Sequence, residues 1–243
     1  MPVDGGPRKR LSYWRVTPLV SVIIPVRHDA ESLARLLAQL LEGGTEPEGG
    51  TFLPRAKSRG VPPNRHVEII VCTAGDDDPA INTLSHLRSD VSWVHSTAGR
   101  ATQLNAGAAH ATGEWLWFVH ADSVLPDGWL DAFRGLDAIG GPKPETGNRK
   151  PPVGGLVGGS FRFALSSDAW QARIIERAVA GRVKWLHLPY GDQGIFVRRA
   201  VFLSMKGFAP LPLLEDVEFV GRLKRLGTLR HLTLSLTTSA RRW

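Results

Sequence analysis

A single cysteine, Cys72, in 243 residues leaves no partner for an internal disulfide and fits a reducing compartment. It lies in an apolar, strand-like run and reads as a core residue. No apolar stretch approaches the ~20 residues that span a bilayer. The basic, Gly/Pro-rich start, Met1 to Arg15, lacks the apolar core of a secretion signal, so residues 1–17 read as a flexible lead-in. No acidic residue follows Glu218, although Arg222, Lys224, Arg225, Arg230, Arg241 and Arg242 do. On a chain of net charge +7, that basic end suits nucleic acid, an anionic membrane surface or a phosphorylated substrate. Zinc-ligand spacing, a helix-turn-helix signal and an aromatic ladder are all missing, so no nucleic-acid partner is expected. Walker A, Gly-x-Gly-x-x-Gly and Gly-x-Ser-x-Gly motifs are missing too, which counts against P-loop kinases, dinucleotide dehydrogenases and esterases.

What is present is a globular composition, 42% hydrophobic and 22% charged. Leu19 to Ile24 is a continuous apolar, β-branched run stopped by Pro25, the pattern of a fully buried strand. Ala30 to Leu41 carries Leu33, Leu36, Leu37 and Leu40 on one helical face, with Asp29 placed to cap it. Val67 to Cys72 and Val91 to His95 are further strands. Between them Asp78-Pro79 starts a helix faced by Ile81, Leu84 and Leu87. Arg100 to Ala111 is a small-residue helix, Trp115 to Val119 a fourth strand, and Trp129 to Leu136 a short helix. This alternation predicts an α/β fold with a mostly parallel central sheet covered on both faces. Later residues read less regularly. Gly158 to Leu165 is an edge or antiparallel strand, Asp168 to Val183 a helix, Glu215 to Leu226 a helix and Arg230 to Leu236 a strand. Residues 43–64 and 140–154 are Gly/Pro-rich loops, the first long enough to count as an insertion. The expected organisation is one domain over 18–243, with a nucleotide-binding half (18–126) and an acceptor-binding half (127–243).

The chemistry gathers at strand ends. The run Trp115-Leu-Trp-Phe-Val breaks abruptly into His120, Ala121, Asp122 and Ser123. A carboxylate there can hold Mg²⁺ or Mn²⁺ against a diphosphate, or simply cap a turn. The Asp76-Asp77-Asp78 loop and the Glu215-Asp216 pair fall on the same side of such a sheet. Glu215-Asp216 reads either as favourable charge at a helix start or as a general base, with only one of the two catalytic. Arg100, Gln103 and Asn105 stand near a helix start, where phosphate or base edges are met.

Taken in order, these segments resemble family 2 glycosyltransferases of the GT-A fold. The likeness is closest to a small bacterial subgroup described as radical-SAM/selenodomain-associated glycosyltransferases. The matching stretches are Ile24-Pro25-Val26, Gly99-Arg100 through Asn105-Ala-Gly107, His120-Ala-Asp122 with Leu125-Pro126, Pro189-Tyr-Gly-Asp-Gln-Gly-Ile-Phe-Val-Arg-Arg199, Leu214-Glu-Asp-Val-Glu218 and Ser239-Ala-Arg-Arg-Trp243.

The resemblance implies inverting transfer of a sugar from a UDP- or GDP-linked donor to a hydroxyl acceptor, small or lipid-linked, with Mn²⁺ or Mg²⁺. It places Asp122 at the last position of the Asp-x-Asp metal motif and His120 at the first, as a metal or phosphate contact. Asp216 takes the place of the base. Pro25, Val26, Asp29, Asp78, Arg100, Gln103 and Ala121 fall on the nucleotide side. Trp185, Tyr190, Asp192, Gln193 and Glu215 fall on the acceptor side, and Arg241 and Arg242 near the diphosphate. Thr73 stands where the family carries a base-contacting aspartate. A nucleotidyltransferase and a non-catalytic nucleotide-sugar-binding protein stay open as alternatives. The expected location is the cytoplasm, with contact at an anionic membrane and self-association both open.

Overall fold

The computed structural model describes residues 17–42, 66–75, 79–138, 155–186 and 188–240. The N-terminal segment, the 43–64 insertion, the 140–154 loop and Asp78, Arg241 and Arg242 lie outside the described residues.

Seven strands form one sheet: β1 (Val20–Val26), β2 (Val67–Thr73), β3 (Ser92–His95), β4 (Trp115–Phe118), β5 (Leu156–Leu165), β6 (Phe196–Arg198) and β7 (Thr228–Thr238), ordered β3-β2-β1-β4-β6-β5-β7. The first four pair in parallel, as the alternating pattern predicts. β6 runs antiparallel to both β4 and β5, and β5 pairs in parallel with β7, so the sheet is mixed. β5 is therefore antiparallel to one neighbour but interior to the sheet rather than at its edge.

Strand alternation distributes the core. Val22, Ile24, Val71, Trp115 and Trp117 point to one face, where they meet Leu33, Leu36, Leu37 and Leu40 of α1 (Ala30–Glu42), Ile81 of α2 (Pro79–Leu87) and Phe133 of α4 (Trp129–Ala138). Ile23, Ile70, Cys72, Leu116 and Phe118 point to the other, against α3 (Arg100–His110), α6 (Arg199–Ser204) and α7 (Glu215–Leu223). A period of two along each strand puts successive side chains on opposite faces, so a run apolar at every position needs a helical layer on both. Cys72 is fully buried and burial pushes its thiol up to about 12, which keeps it an inert core group. A smaller cluster joins Phe163 and Leu165 of β5 to Ala172, Val179 and Val183 of α5 (Trp170–Leu186).

Pro25 does not end β1, which continues to Val26. Val119 N–H donates to Ile23 O, so residues 23 and 25 turn their backbone groups toward β4. The β4 register stops at Ile23–Phe118. The missing proline N–H thus falls where no ladder bond is made. The chain leaves β1 toward β2 and β3, then returns to place β4 on the other side of β1. That reversal opens a crevice at the carboxyl ends of β1 and β4, the usual ligand position in open α/β sheets.

Candidate active site

Asp122 stands just beyond β4 on a tightly tied turn. Ser123 N–H donates to His120 O at 3.1 Å, Val124 exchanges two backbone bonds with Thr237 of β7, and Leu125 N–H donates to Gln39 Oε1 at 2.8 Å. Three independent ties therefore fix the segment that carries the carboxylate. On its α1 side Asp122 borders a cavity of about 340 Å³, lined also by Ser32, Arg35, Ser123 and Thr238. Ala121 turns its methyl into the core, so only its backbone is available to a ligand.

Arg100, first residue of α3, connects the crevice to the later half of the chain. Its Nη2 lies 2.6 Å from His120 Nε2. Guanidinium only donates, so a hydrogen bond here requires His120 Nε2 to accept. Arg100 Nε lies 3.1 Å from Glu215 Oε1, an ion pair by distance. The Nε–H is nevertheless not aligned with an acceptor, so the contact is electrostatic rather than a directed hydrogen bond. Glu215 is buried, and the start of α7 is thereby held against the start of α3.

Asp216 is the next residue of α7. Its Oδ2 accepts from Gly191 N–H at 2.6 Å and its Oδ1 from Val217 N–H at 2.8 Å. Gly191 begins a single 3-10 turn, Gly191–Gln193. A Cβ on Gly191 would collide with Arg100 Nη2 and lie 3.1 Å from Asp216 Oδ2, so any larger residue would displace the Arg100 side chain. Gly194, at φ 58°, ends the turn in the left-handed region. A Cβ there would meet Leu236 Cδ2 and Trp117 Nε1, each at 2.7 Å. Trp117 Nε1–H donates to Gly194 O at 3.1 Å, tying the turn to β4.

Asp192 sits on this turn with a buried Oδ1 that has no hydrogen-bond partner. Burial pushes its carboxyl up to about 6; Arg182 opposes the shift, Asp216 adds to it and Arg100 opposes it. Arg182 of α5 stacks on Tyr190, 3.4 Å from the ring centroid, and donates to Gln193 Oε1 at 3.3 Å.

Several residues expected to face a ligand have structural duties instead. Gln193 is buried, and its Oε1 also accepts from Tyr190 N–H at 3.0 Å, so it shapes the turn from within rather than presenting to an acceptor. Gln103 is likewise buried, and its Nε2 donates to Val26 O at 3.1 Å and Cys72 O at 2.9 Å. It clamps the carboxyl ends of β1 and β2 together. Val26 turns its side chain into the core. Asp29 Oδ1 accepts from Ser32 N–H at 3.2 Å, the expected helix cap. Thr73 is buried, and its Oγ1 pairs with His95 Nδ1 at 2.6 Å, so its hydroxyl already has a partner. Trp185 is 80% exposed on α5 rather than folded over the turn. Pro25 stays half-buried at the crevice.

The sequence reading missed Arg182 and His95, which carry no motif. It also missed the left-handed backbone of His28 and Leu214, at φ 53° and 61°, two residues after β1 and directly before Glu215. Non-glycine residues in that region are uncommon and concentrate at functional sites.

Metal fit can be judged from the donor set. Among the described residues no three His, Cys, Asp or Glu side chains converge. His120 Nε2 faces a guanidinium, an arrangement that does not fit a cation ligand. Asp122 is a single carboxylate bordering the cavity on the α1 side.

The sheet order and the crevice at its reversal make an α/β fold with a mixed, mostly parallel sheet, consistent with the GT-A type of nucleotide-sugar transferases. Residues 21–134 match the family described as "Glycosyl transferase family 2". Among solved structures, S. aureus TarS residues 1–349 align with a TM-score of 0.55 at 15% identity, covering 90% of this chain and 60% of that one. The same protein in complex with UDP-GlcNAc aligns at 0.54 and 15%, covering 91% and 58%. A mycobacterial protein aligns at 0.53 and 15%, covering 93% and 66%. At such identity these likenesses establish the fold, and the chain spans less than two thirds of each structure's length. No curated protein matches the chain.

Proposed function

We propose that this protein transfers a sugar, with inversion, from a nucleoside-diphosphate donor to a hydroxyl acceptor. The observation that supports it most is the junction at Arg100. One guanidinium contacts His120 beside Asp122 and Glu215 beside Asp216, while Gly191 touches both Arg100 and Asp216. That link between the segment carrying Asp122 and the one carrying Asp216 supports assigning the diphosphate and the acceptor hydroxyl to a common site.

In this reading the donor lies along the β1–β4 crevice. The acceptor oxygen attacks the anomeric carbon as its proton passes to Asp216. The bond from that carbon to the diphosphate oxygen breaks, and the electron pair leaves with the nucleoside diphosphate. Asp216 keeps acceptor lone pairs beyond the two backbone N–H bonds that orient it. Arg100 is 36% exposed at its side chain and retains N–H groups to offset charge growing on the leaving group. A divalent ion held by Asp122 and the donor phosphates would add charge neutralisation there. Arg241 and Arg242 are proposed as further diphosphate contacts. The narrower likeness to the radical-SAM/selenodomain-associated subgroup rests on motif order alone.

The test is release of nucleoside diphosphate from UDP- and GDP-sugars against a panel of hydroxyl acceptors, with and without Mn²⁺. UDP-GlcNAc goes first, because S. aureus TarS has been solved with it. Acceptor-dependent release with product of inverted anomeric configuration supports the proposal. Donor binding with no release under any condition would identify a binding protein instead, and release of pyrophosphate from a sugar phosphate and a nucleoside triphosphate would identify a nucleotidyltransferase.

A further inference from the structure

Helix α5 is apolar on two opposite faces, and only one is covered. Ala172, Ile175, Val179 and Val183 form the seam packed on β5. At 100° per residue, Trp170, Ile174, Gly181 and Trp185 fall within about 60° of one another on the far side. Trp170 is 68% exposed, Ile174 50% and Trp185 80%. Two tryptophans and an isoleucine along four turns are not scattered surface apolars; they form a continuous stripe. Arg177 and Lys184 flank it on one side and are exposed. The helix carries Arg173, Arg177, Arg182 and Lys184 against one acid, Glu176, which Arg173 pairs at 2.8 Å.

We propose that this face of α5 docks on an anionic lipid surface, lying in the headgroup plane. Tryptophan is suited to that zone because its ring is apolar and its N–H polar, and flanking cations meet anionic headgroups. None of the described helices is long and apolar enough to cross a membrane, so docking would be peripheral. Charge argues for lipid over a second copy of this chain. An isologous contact would place Arg177 and Lys184 of each copy against the same cationic face of the other, on chains of net charge +7.

The docked face would reach the site through a short path. Arg182 touches Tyr190 and Gln193, and Gly191 touches Asp216. Leu213 and Leu214, 78% and 60% exposed, directly precede Glu215. Docking stands whether or not the chain transfers sugar; that it would bring the acceptor turn to a lipid-borne acceptor rests on the transferase reading.

The test is co-sedimentation of the full chain with phosphatidylcholine vesicles, with and without phosphatidylglycerol, in the absence of any substrate. Wild type is expected to bind the anionic vesicles and not the neutral ones. Arg177→Gln/Lys184→Gln should lower the partition coefficient roughly 10-fold or more, and Trp170→Ser/Trp185→Ser should do the same. These side chains are exposed, so thermal unfolding should match wild type for both variants; if the tryptophan pair misfolds, the charge pair still decides. Absence of binding to anionic vesicles overturns the proposal. Binding undiminished in both variants also overturns it, because the other basic segments would then carry the contact. A dimer in solution that dissociates in the tryptophan variant overturns it in favour of a second copy.

Discussion

Gly191 donates its backbone N–H to Asp216 Oδ2 at 2.6 Å while leaving no room for a Cβ beside Arg100. One residue thus sets both the base and the cation of the proposed reaction. Gly191→Ala would push the end of the Arg100 side chain off His120 and strain its contact with buried Glu215. Stability should fall by roughly 1–3 kcal/mol, as when a buried carboxylate loses a partly solvated partner. Turnover should fall roughly 10-fold or more as the arginine leaves its position. Thermal unfolding and initial-rate kinetics on the same preparation check both halves.

Asp216→Asn removes the proposed proton acceptor and keeps its shape. Its amide oxygen can still accept from Gly191, while its NH2 faces Val217 N–H and gives up that local bond, so the turn should hold at a small cost in stability. General-base loss lowers the rate by about 10²–10⁴-fold. Donor affinity, measured by calorimetry, should stay within a factor of about 3 of wild type. An equal loss in affinity and rate would instead place Asp216 in donor binding.

The Arg100–Glu215 contact should appear as coupling. Glu215 is buried at the start of α7, so Arg100→Gln strips a buried carboxylate of its neighbour. Arg100 is partly solvated, which reduces the loss to roughly 1–3 kcal/mol. Adding Glu215→Gln removes the stranded charge. The double variant should therefore be more stable than the sum of the single changes by about 1 kcal/mol in a denaturant cycle.

Leu214 holds the left-handed conformation at φ 61° just before Glu215. That conformation costs a side-chain-bearing residue about 1–2 kcal/mol. Glycine avoids that cost but adds about 0.4–1 kcal/mol of unfolded-chain entropy. Leu214→Gly should therefore be neutral or slightly stabilising. Leu214→Val, β-branched and a worse fit, should destabilise by about 1 kcal/mol or more. Leu214 is exposed, so core packing does not blur the comparison.

Three of the first four strands were legible because β1, β2 and β4 are nearly continuous apolar runs closed by polar residues, the pattern of a strand covered on both faces. Trp115–Phe118 and Val20–Val26 show it most clearly. The antiparallel placement of Phe196–Arg198 was not legible, since a three-residue strand carries no period. Helix Arg199–Ser204 was missed for the same reason, being under two turns. At the site, charged residues at element ends signalled Arg100 and the Glu215–Asp216 pair. Gln103 and Gln193 misled, because a polar side chain near a strand end satisfies backbone carbonyls or a neighbouring turn as readily as a ligand. Only coordinates separate those uses. Thr73–His95 joins residues 22 apart across two strands, a pairing fixed by register rather than by any local motif.

Asp192 supplies a pH signature. Burial first, and then Asp216, raise its carboxyl to about 6 against the opposing Arg182 and Arg100. The raised value means that, between the ordinary carboxylate range and about 6, the folded chain holds a proton the unfolded chain has released. Its contribution to stability is thus complete below the ordinary range and is lost as pH rises through about 6. Asp192→Asn cannot ionise and escapes that loss. The variant should gain on wild type as pH rises through about 6, by roughly 1–3 kcal/mol at neutrality after allowing for partial solvent contact. Denaturant unfolding of both proteins across the acid-to-neutral range measures the gap. A gap that stays constant with pH would mean that Asp192 ionises at the same pH folded and unfolded, and that the buried Oδ1 is reached by water.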